Sequence, residues 1–182
     1  MQFQPDIHTY IPSDRVLALA EGRNLLEKTQ GTALFADISG FTPLTEALRH
    51  LYGDKLGVER LIDYLNQVFE ALIAVVELHG GSVIGFSGDA ITCWFDHELL
   101  GGNQSAAHQA VTAALGMQQA MEDFAVIPLQ EDTPISLRMK ASVATGPAWR
   151  FVVGDPTIQL VDVLAGKTIL RLATGEQLAN QG

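Results

Sequence analysis

Between Leu61 and Val76 the apolar residues Leu61, Ile62, Leu65, Val68, Phe69, Leu72, Ile73 and Val76 fall at offsets of 0, 1, 4, 7, 8, 11, 12 and 15. That is one stripe of helical period, and it predicts a helix from about Val58 to Leu78 packed against a core. His79-Gly80-Gly81 stops it. Upstream, residues 1–12 read as an extended lead-in. Ser13 is placed to cap a helix from Asp14 to about Thr29, with Val16, Leu17, Leu19 and Leu25 among its apolar positions, and Gly31 ends it. Thr32 to Ile38, TALFADI, is a continuous apolar run and predicts a buried strand. Ser39-Gly40-Phe41-Thr42-Pro43 then reads as a turn into a further helix, with Thr42 as N-cap and Pro43 at its first position.

Ser82 to Phe86 and Ala90 to Phe95 are strand-like and separated by Ser87-Gly88-Asp89, a hairpin signal. Asn103 or Ser105 caps a helix reaching about Phe124. Ile135, Leu137, Met139, Ala141 and Val143 alternate with Ser136, Arg138, Lys140 and Ser142, which predicts a strand with one wet face. Trp149 to Val153 is another strand, Gly154-Asp155-Pro156 a turn, Ile158 to Val163 the returning strand, and Gly166 to about Leu178 a last helix. Strands separated by helices and hairpins give an α+β fold, with helices on one face of a mainly antiparallel sheet.

Composition narrows the classes. The 182 residues carry 11 Lys and Arg against 21 Asp and Glu, a net charge of −10, which argues against a nucleic-acid binder. The apolar fraction of 47% fits one globular domain. The longest apolar runs are far too short for a membrane span. The N-terminus lacks a basic n-region and an apolar h-region, so no signal peptide is read there. A single cysteine, Cys93, excludes an internal disulfide framework and suggests a reducing compartment, hence a cytoplasmic location. Cys93 reads as a small buried hydrophobe.

Two carboxylates carry the chemistry. Asp37 ends an apolar strand and Asp89 sits at the tip of the Gly85-to-Asp89 hairpin. A carboxylate in apolar surroundings is costly unless paired or metal-bound. Two Asp and a backbone carbonyl form a hard oxygen site suited to Mg²⁺ or Mn²⁺. The helix start near Thr42 offers free N–H groups for phosphate. Metal beside a phosphate-binding helix start points to phosphoryl or nucleotidyl transfer. A turn or cap role for each Asp is the plainer reading of the same residues.

Phe35-Ala36-Asp37-Ile38-Ser39-Gly40-Phe41-Thr42 closely resembles the first metal-binding motif of class III adenylyl/guanylyl cyclases, and Gly80-Gly81-Ser82-Val83-Ile84-Gly85-Phe86-Ser87-Gly88-Asp89-Ala90 resembles the second. The separation of 89 − 37 = 52 residues is typical of that family. Lys140 to Gly146, Gly154-Asp155 and Leu170 to Ala173 resemble later family segments. The likeness covers roughly residues 28–182 and looks nearest the bicarbonate-responsive, soluble adenylyl cyclase-like branch. It implies a ferredoxin-like cyclase fold, with residues 1–30 as lead-in and helix and 31–182 as the catalytic domain of a longer protein. It implies cyclisation of ATP, with GTP a lesser candidate, to a 3′,5′-cyclic nucleotide and pyrophosphate. Asp37, the Ile38 carbonyl and Asp89 would hold two Mg²⁺ or Mn²⁺ ions. Ser39, Gly40, Phe41 and Thr42 would bind the triphosphate, and Arg171 would steady the transition state. The partner would be a second cyclase domain, in the same or another chain, or a second copy.

The chain departs from the family at the residues that the partner half supplies. The base-reading Lys, four residues before the second metal Asp, is Gly85. The base-selecting position, eleven before Arg171, is Leu160, and the Asn position, four before Arg171, is Lys167. The resemblance therefore implies a metal-donating half with degenerate partner-side residues. Lys140 and Arg171 resemble two basic residues of a bicarbonate pocket, although Lys140 also fits a solvated strand face. A catalytically silent nucleotide-binding or dimerising module is the rival reading, favoured by Gly85, Leu160 and Lys167. A diguanylate cyclase is a weaker rival, since no Gly-Gly-Asp/Glu-Glu-Phe hairpin is present. His50, His79, His97 and His108 lack metal-ligand spacing. Trp94 and Trp149 read as core or dimer-face residues.

Overall fold

The computed structural model describes residues 11–127, 134–155 and 157–180. The expected conformation of residues 1–10, and Pro156 of the expected turn, lie outside them. The elements run α1 (Ser13–Ala20), β1 (Lys28–Ser39), α2 (Phe41–Leu78), β2 (Ser82–Ser87), β3 (Ala90–Asp96), α3 (Asn103–Met121), β4 (Arg138–Asp155), β5 (Gln159–Ala165) and α4 (Lys167–Leu178), with a 3₁₀ turn at Glu122–Phe124. The strands form one sheet in the order β2-β3-β1-β4-β5, and every neighbouring pair is antiparallel. The mainly antiparallel α+β expectation holds.

Alternation along β1 divides the molecule. Leu34, Ala36 and Ile38 are fully buried in a core shared with Leu44, Leu48, Val68, Leu72 and Val76 of α2 and Ala106, Ala110, Ala113 and Met117 of α3. The expected stripe supplies most of α2's share, although Ile62 lies at its margin, 48% exposed. Ala33 points the other way, into a smaller cluster with Trp94, Ala144, Ala148 and Leu172. The two long helices share one face as expected, but α4 packs on the opposite one through Leu172, so the expectation of helices on a single face does not hold for it.

Several boundaries differ from the sequence reading. The α1 helix stops at Ala20 rather than near Thr29, because β1 begins at Lys28 and pairs with β4 from its first residue, opposite Trp149. Gly31 does not end a helix. It lies inside β1, where a Cβ would collide with the Trp94 ring. Ser13 is not the cap; its hydroxyl meets that of Ser82 at 3.0 Å, docking α1 on β2. Likewise α3 begins after Gly102 rather than with a side-chain cap. The two helices expected across residues 42–78 run as one element kinked at Gly53, whose φ of 76° is not helical. The two strands expected on either side of Gly146 are one, β4, because β1 pairs with it continuously from Arg138 to Trp149.

Charge, not apolar area, fastens α1. Arg150 of β4 has a side chain only 2% exposed and forms ion pairs with Asp14 of α1 and Asp162 of β5. Arg15 adds a second pair to Asp162, with a nitrogen–oxygen distance of 2.6 Å. Burial opposes the charge on Asp162, yet the hydrogen bonds and charges of Arg15 and Arg150 outweigh it and hold the carboxyl below its usual range. A carboxylate so depressed adds stability above its unfolded pKa of about 3.9, and that stability is lost as pH falls through the folded value. Arg150→Ala leaves Asp14 buried without its cation and should cost about 3–5 kcal/mol in urea unfolding. The penalty should shrink at acid pH, where Asp162 protonates in the parent as well and its pairing with Arg150 is lost. A cost under 1 kcal/mol at neutral pH would show that the network is not holding α1.

Candidate active site

The same alternation that buries Leu34, Ala36 and Ile38 turns Asp37 to the α4 face of the sheet. In register, Asp37 lies between Ala90 of β3 and Lys140 of β4. The β2–β3 hairpin turns at Gly88-Asp89, and the Ile38 N–H donates to the Asp89 carbonyl at 3.2 Å. Asp37 and Asp89 therefore stand at the same end of adjacent strands, Asp37 partly buried and Asp89 exposed. The Ile38 backbone is fixed between them while its side chain is fully buried.

A cation from the chain itself stands at this end. Lys140 Nζ lies 3.3 Å from Asp37 Oδ2 and 2.5 Å from Glu176 Oε1 of α4. Hydrogen bonding first to Glu176 and then to Asp37 raises the Lys140 pKa, so the ammonium is charged at neutral pH. Sequence reasoning missed Glu176. A signal existed: it lies four residues after Leu172, on the side of α4 that faces the sheet.

The turn after Asp37 enters α2 directly. Phe41 is the first helical residue, so Thr42 is inside the helix rather than its cap and Pro43 is third rather than first. Gly40 supplies the cap position with a left-handed φ of 106°. A side chain there would also strike the Ser136 carbonyl, so two constraints require glycine. The N–H groups of Phe41 and Thr42 belong to the first turn, Pro43 has none, and the Leu44 N–H already donates to the Gly40 carbonyl. Ser39 Oγ donates to the Arg138 carbonyl at 3.4 Å. The segment thus offers main-chain donors four and five residues after Asp37, at the positive end of a helix.

The remaining positions sit elsewhere. Gly85 and Leu160 line one open cavity of about 350 Å³ together with Ile11, Phe86 and Val161, because β5 comes into contact with β2. Lys167 is exposed at the start of α4. Arg171 donates to the Thr145 carbonyl at 3.0 Å. Thr145 is five residues from Lys140 on β4, roughly 16 Å of strand. The structure does not join Lys140 and Arg171 in a shared anion pocket, and it places Arg171 away from Asp37. Among the described residues there is no group of three His, Cys, Asp or Glu that could hold a metal. His79, His97 and His108 engage Gln109, Asn103 and Thr112. Cys93 is fully buried and burial pushes its thiol pKa up, and Trp94 is a core residue. No helix among the described residues is long and apolar enough to cross a membrane.

The fold has known relatives. Residues 26–167 match the adenylate and guanylate cyclase catalytic domain family, and the chain belongs to that family. Adenylate cyclase type 10 of Homo sapiens is 28% identical over 137 residues, which cover 74% of this chain and 8% of that protein. The Oryctolagus cuniculus protein is 30% identical over 129 residues, which cover 70% of this chain and 8% of that protein. The chain therefore spans under a tenth of the length of these relatives. Among solved structures, the adenylyl cyclase CyaB from P. aeruginosa superposes with a TM-score of 0.66 at 20% identity, covering 85% of this chain and 74% of that one. The guanylyl cyclase Cya2 gives 0.65 at 23% identity, covering 85% and 72%. The class III cyclase fold expected from the two motifs is the fold observed.

Gly40→Ala should cost about 1–3 kcal/mol of stability, since it forces both a left-handed conformation and a displacement of Ser136. Thermal unfolding at constant buffer measures it, and an unchanged Tm would show that the turn can relax without loss.

Proposed function

We propose that this chain is a nucleotidyl cyclase domain that converts ATP to 3′,5′-cyclic AMP and pyrophosphate, as the metal-donating half of a site shared with a second cyclase domain. One observation carries the reading: Asp37 and Asp89 stand at one open strand end, with a helix starting four residues after Asp37. Only kinship with adenylyl cyclases favours ATP over GTP.

The donor set fits a divalent cation. Two carboxylates and the carbonyl of Ile38 are hard oxygens, and the Lys140 ammonium at 3.3 Å from Asp37 shows that this end already attracts positive charge. Asp37, Asp89 and the Ile38 carbonyl would hold Mg²⁺ or Mn²⁺. Two such ions would acidify the ribose 3′-hydroxyl and neutralise the phosphates. The chain's own groups orient the substrate. Main-chain N–H groups of the Ser39-to-Thr42 segment bind phosphate oxygens, and the helix dipole adds attraction. The 3′-oxygen attacks the α-phosphorus, its proton leaves to solvent, and the bond to the pyrophosphate oxygen breaks. Positioning and charge neutralisation do most of the work, with no side-chain base required.

The need for a second domain has two supports. The β4–β5 hairpin exposes Trp149, Phe151, Val153 and Val161 on one face by alternation and register, an apolar surface of the kind that marks an interface. Trp149 and Phe151 stack there with centroids 6.1 Å apart, which fits the dimer-face reading of Trp149. The cavity shared by Gly85 and Leu160 has no side-chain hydrogen-bonding group at either position, so this half reads no base by those residues. The other domain would supply base recognition and a transition-state Arg. Those same two residues, with Lys167, favour the second reading, a silent dimerising module.

A cyclase assay with Mn²⁺ and ATP separates the two. The chain mixed with an intact cyclase domain, or paired with its own copy, should form cyclic AMP, and Asp37→Ala should lower the rate by at least about 10²-fold. Gly85 has open space where a Cβ would go, so Gly85→Lys should be accommodated and should raise the activity of the chain paired with itself. Product formed equally well by Asp37→Ala would contradict the proposal. Nucleotide binding without turnover under any pairing would favour the silent module.

A further inference from the structure

Lys140 stands between two carboxylates that are not equivalent. Strand register alone would commit it to Asp37, since the two face each other across β1 and β4 and opposite charges in that relation pair readily. Its shorter contact is nevertheless to Glu176, at 2.5 Å against 3.3 Å. Glu176 is held there by α4. Leu172, one turn earlier, is 3% exposed in the cluster with Ala33 and Ala144, and its carbonyl accepts from Ser142 Oγ at 3.0 Å. The helix cannot rise from the sheet at this end without breaking both contacts.

The consequence falls on Asp37. An ammonium committed to Asp37 would cover the oxygens a divalent cation needs and would place like charge beside it. Lys140, Asp37 and Glu176 are each about a quarter exposed, so the ammonium can shift between partners without being stranded from water. We propose that Glu176 is a positioning residue that draws the Lys140 ammonium off Asp37, leaving that carboxylate open to a divalent cation while keeping the ammonium beside the phosphate-binding turn. This rests on the reading that Asp37 holds metal.

The test is Mn²⁺ binding to the full chain without nucleotide, followed by the electron paramagnetic resonance signal of free Mn²⁺. Glu176→Gln should weaken binding about three- to fivefold, the range that partly exposed ion pairs support, with a melting temperature within about 2 °C of the parent. Lys140→Met, which removes the competing cation, should bind Mn²⁺ at least as tightly as the parent. In that background Glu176→Gln should change affinity less than twofold. A loss of equal size in both backgrounds would mean that Glu176 acts on the ion directly and would overturn the proposal, as would no loss in the single variant. Asp37→Ala separates the underlying reading. If it abolishes binding while Glu176→Gln does nothing, only the role of Glu176 fails; if it leaves binding intact, the metal assignment fails with it.

Discussion

The central position of β1 constrains everything else in this fold. It pairs with β3 on one side and β4 on the other, over seven and twelve residues. Because its side chains alternate, the burial of Leu34, Ala36 and Ile38 against α2 and α3 obliges Asp37 to face the opposite side. A one-residue slip would bury that carboxylate and expose the core set, at a cost far beyond the stability of a domain this size. The facing of Asp37 is therefore set by the hydrophobic core.

The face that carries Asp37 is divided electrostatically. At one end Arg150 is buried among Asp14, Asp162 and Arg15 and acts as a structural clamp between α1 and the β4–β5 hairpin. At the other, Lys140 is shared between Asp37 and Glu176 in the open. A buried network resists rearrangement because breaking it strands a charge. An exposed one exchanges partners at small cost. Rigid anchoring at one end and exchangeable charge at the other suit the proposed function, in which one end would take up metal and nucleotide while the hairpin meets a second domain.

What could be read in the sequence was local. TALFADI, the Ser87-Gly88-Asp89 hairpin and the α2 stripe each announce themselves within a few residues, and together they put Asp37 and Asp89 near each other. What could not be read depended on distant neighbours. Gly31 looks like a helix stop until Trp94 is seen lying over it. Gly146 looks like a break until β1 is seen to pair across it. The course of α1 depends on a contact 136 residues away, between Asp14 and Arg150, and the placement of Glu176 shows only in its pairing with Lys140 of β4. The family likeness supplied the roles of Gly85 and Leu160, and the structure adds that the two line one cavity.

The central claim is that divalent metal binds between Asp37 and Asp89. Paramagnetic broadening of backbone amide resonances by Mn²⁺ locates the ion without relying on turnover. The amides of Ile38 to Thr42 and of Asp89 and Ala90 should broaden first, with those of β5 and of the acidic stretch of α2 near Asp63 and Glu70 remaining sharp. Broadening centred on α2, or spread evenly over the acidic surface, would contradict the account.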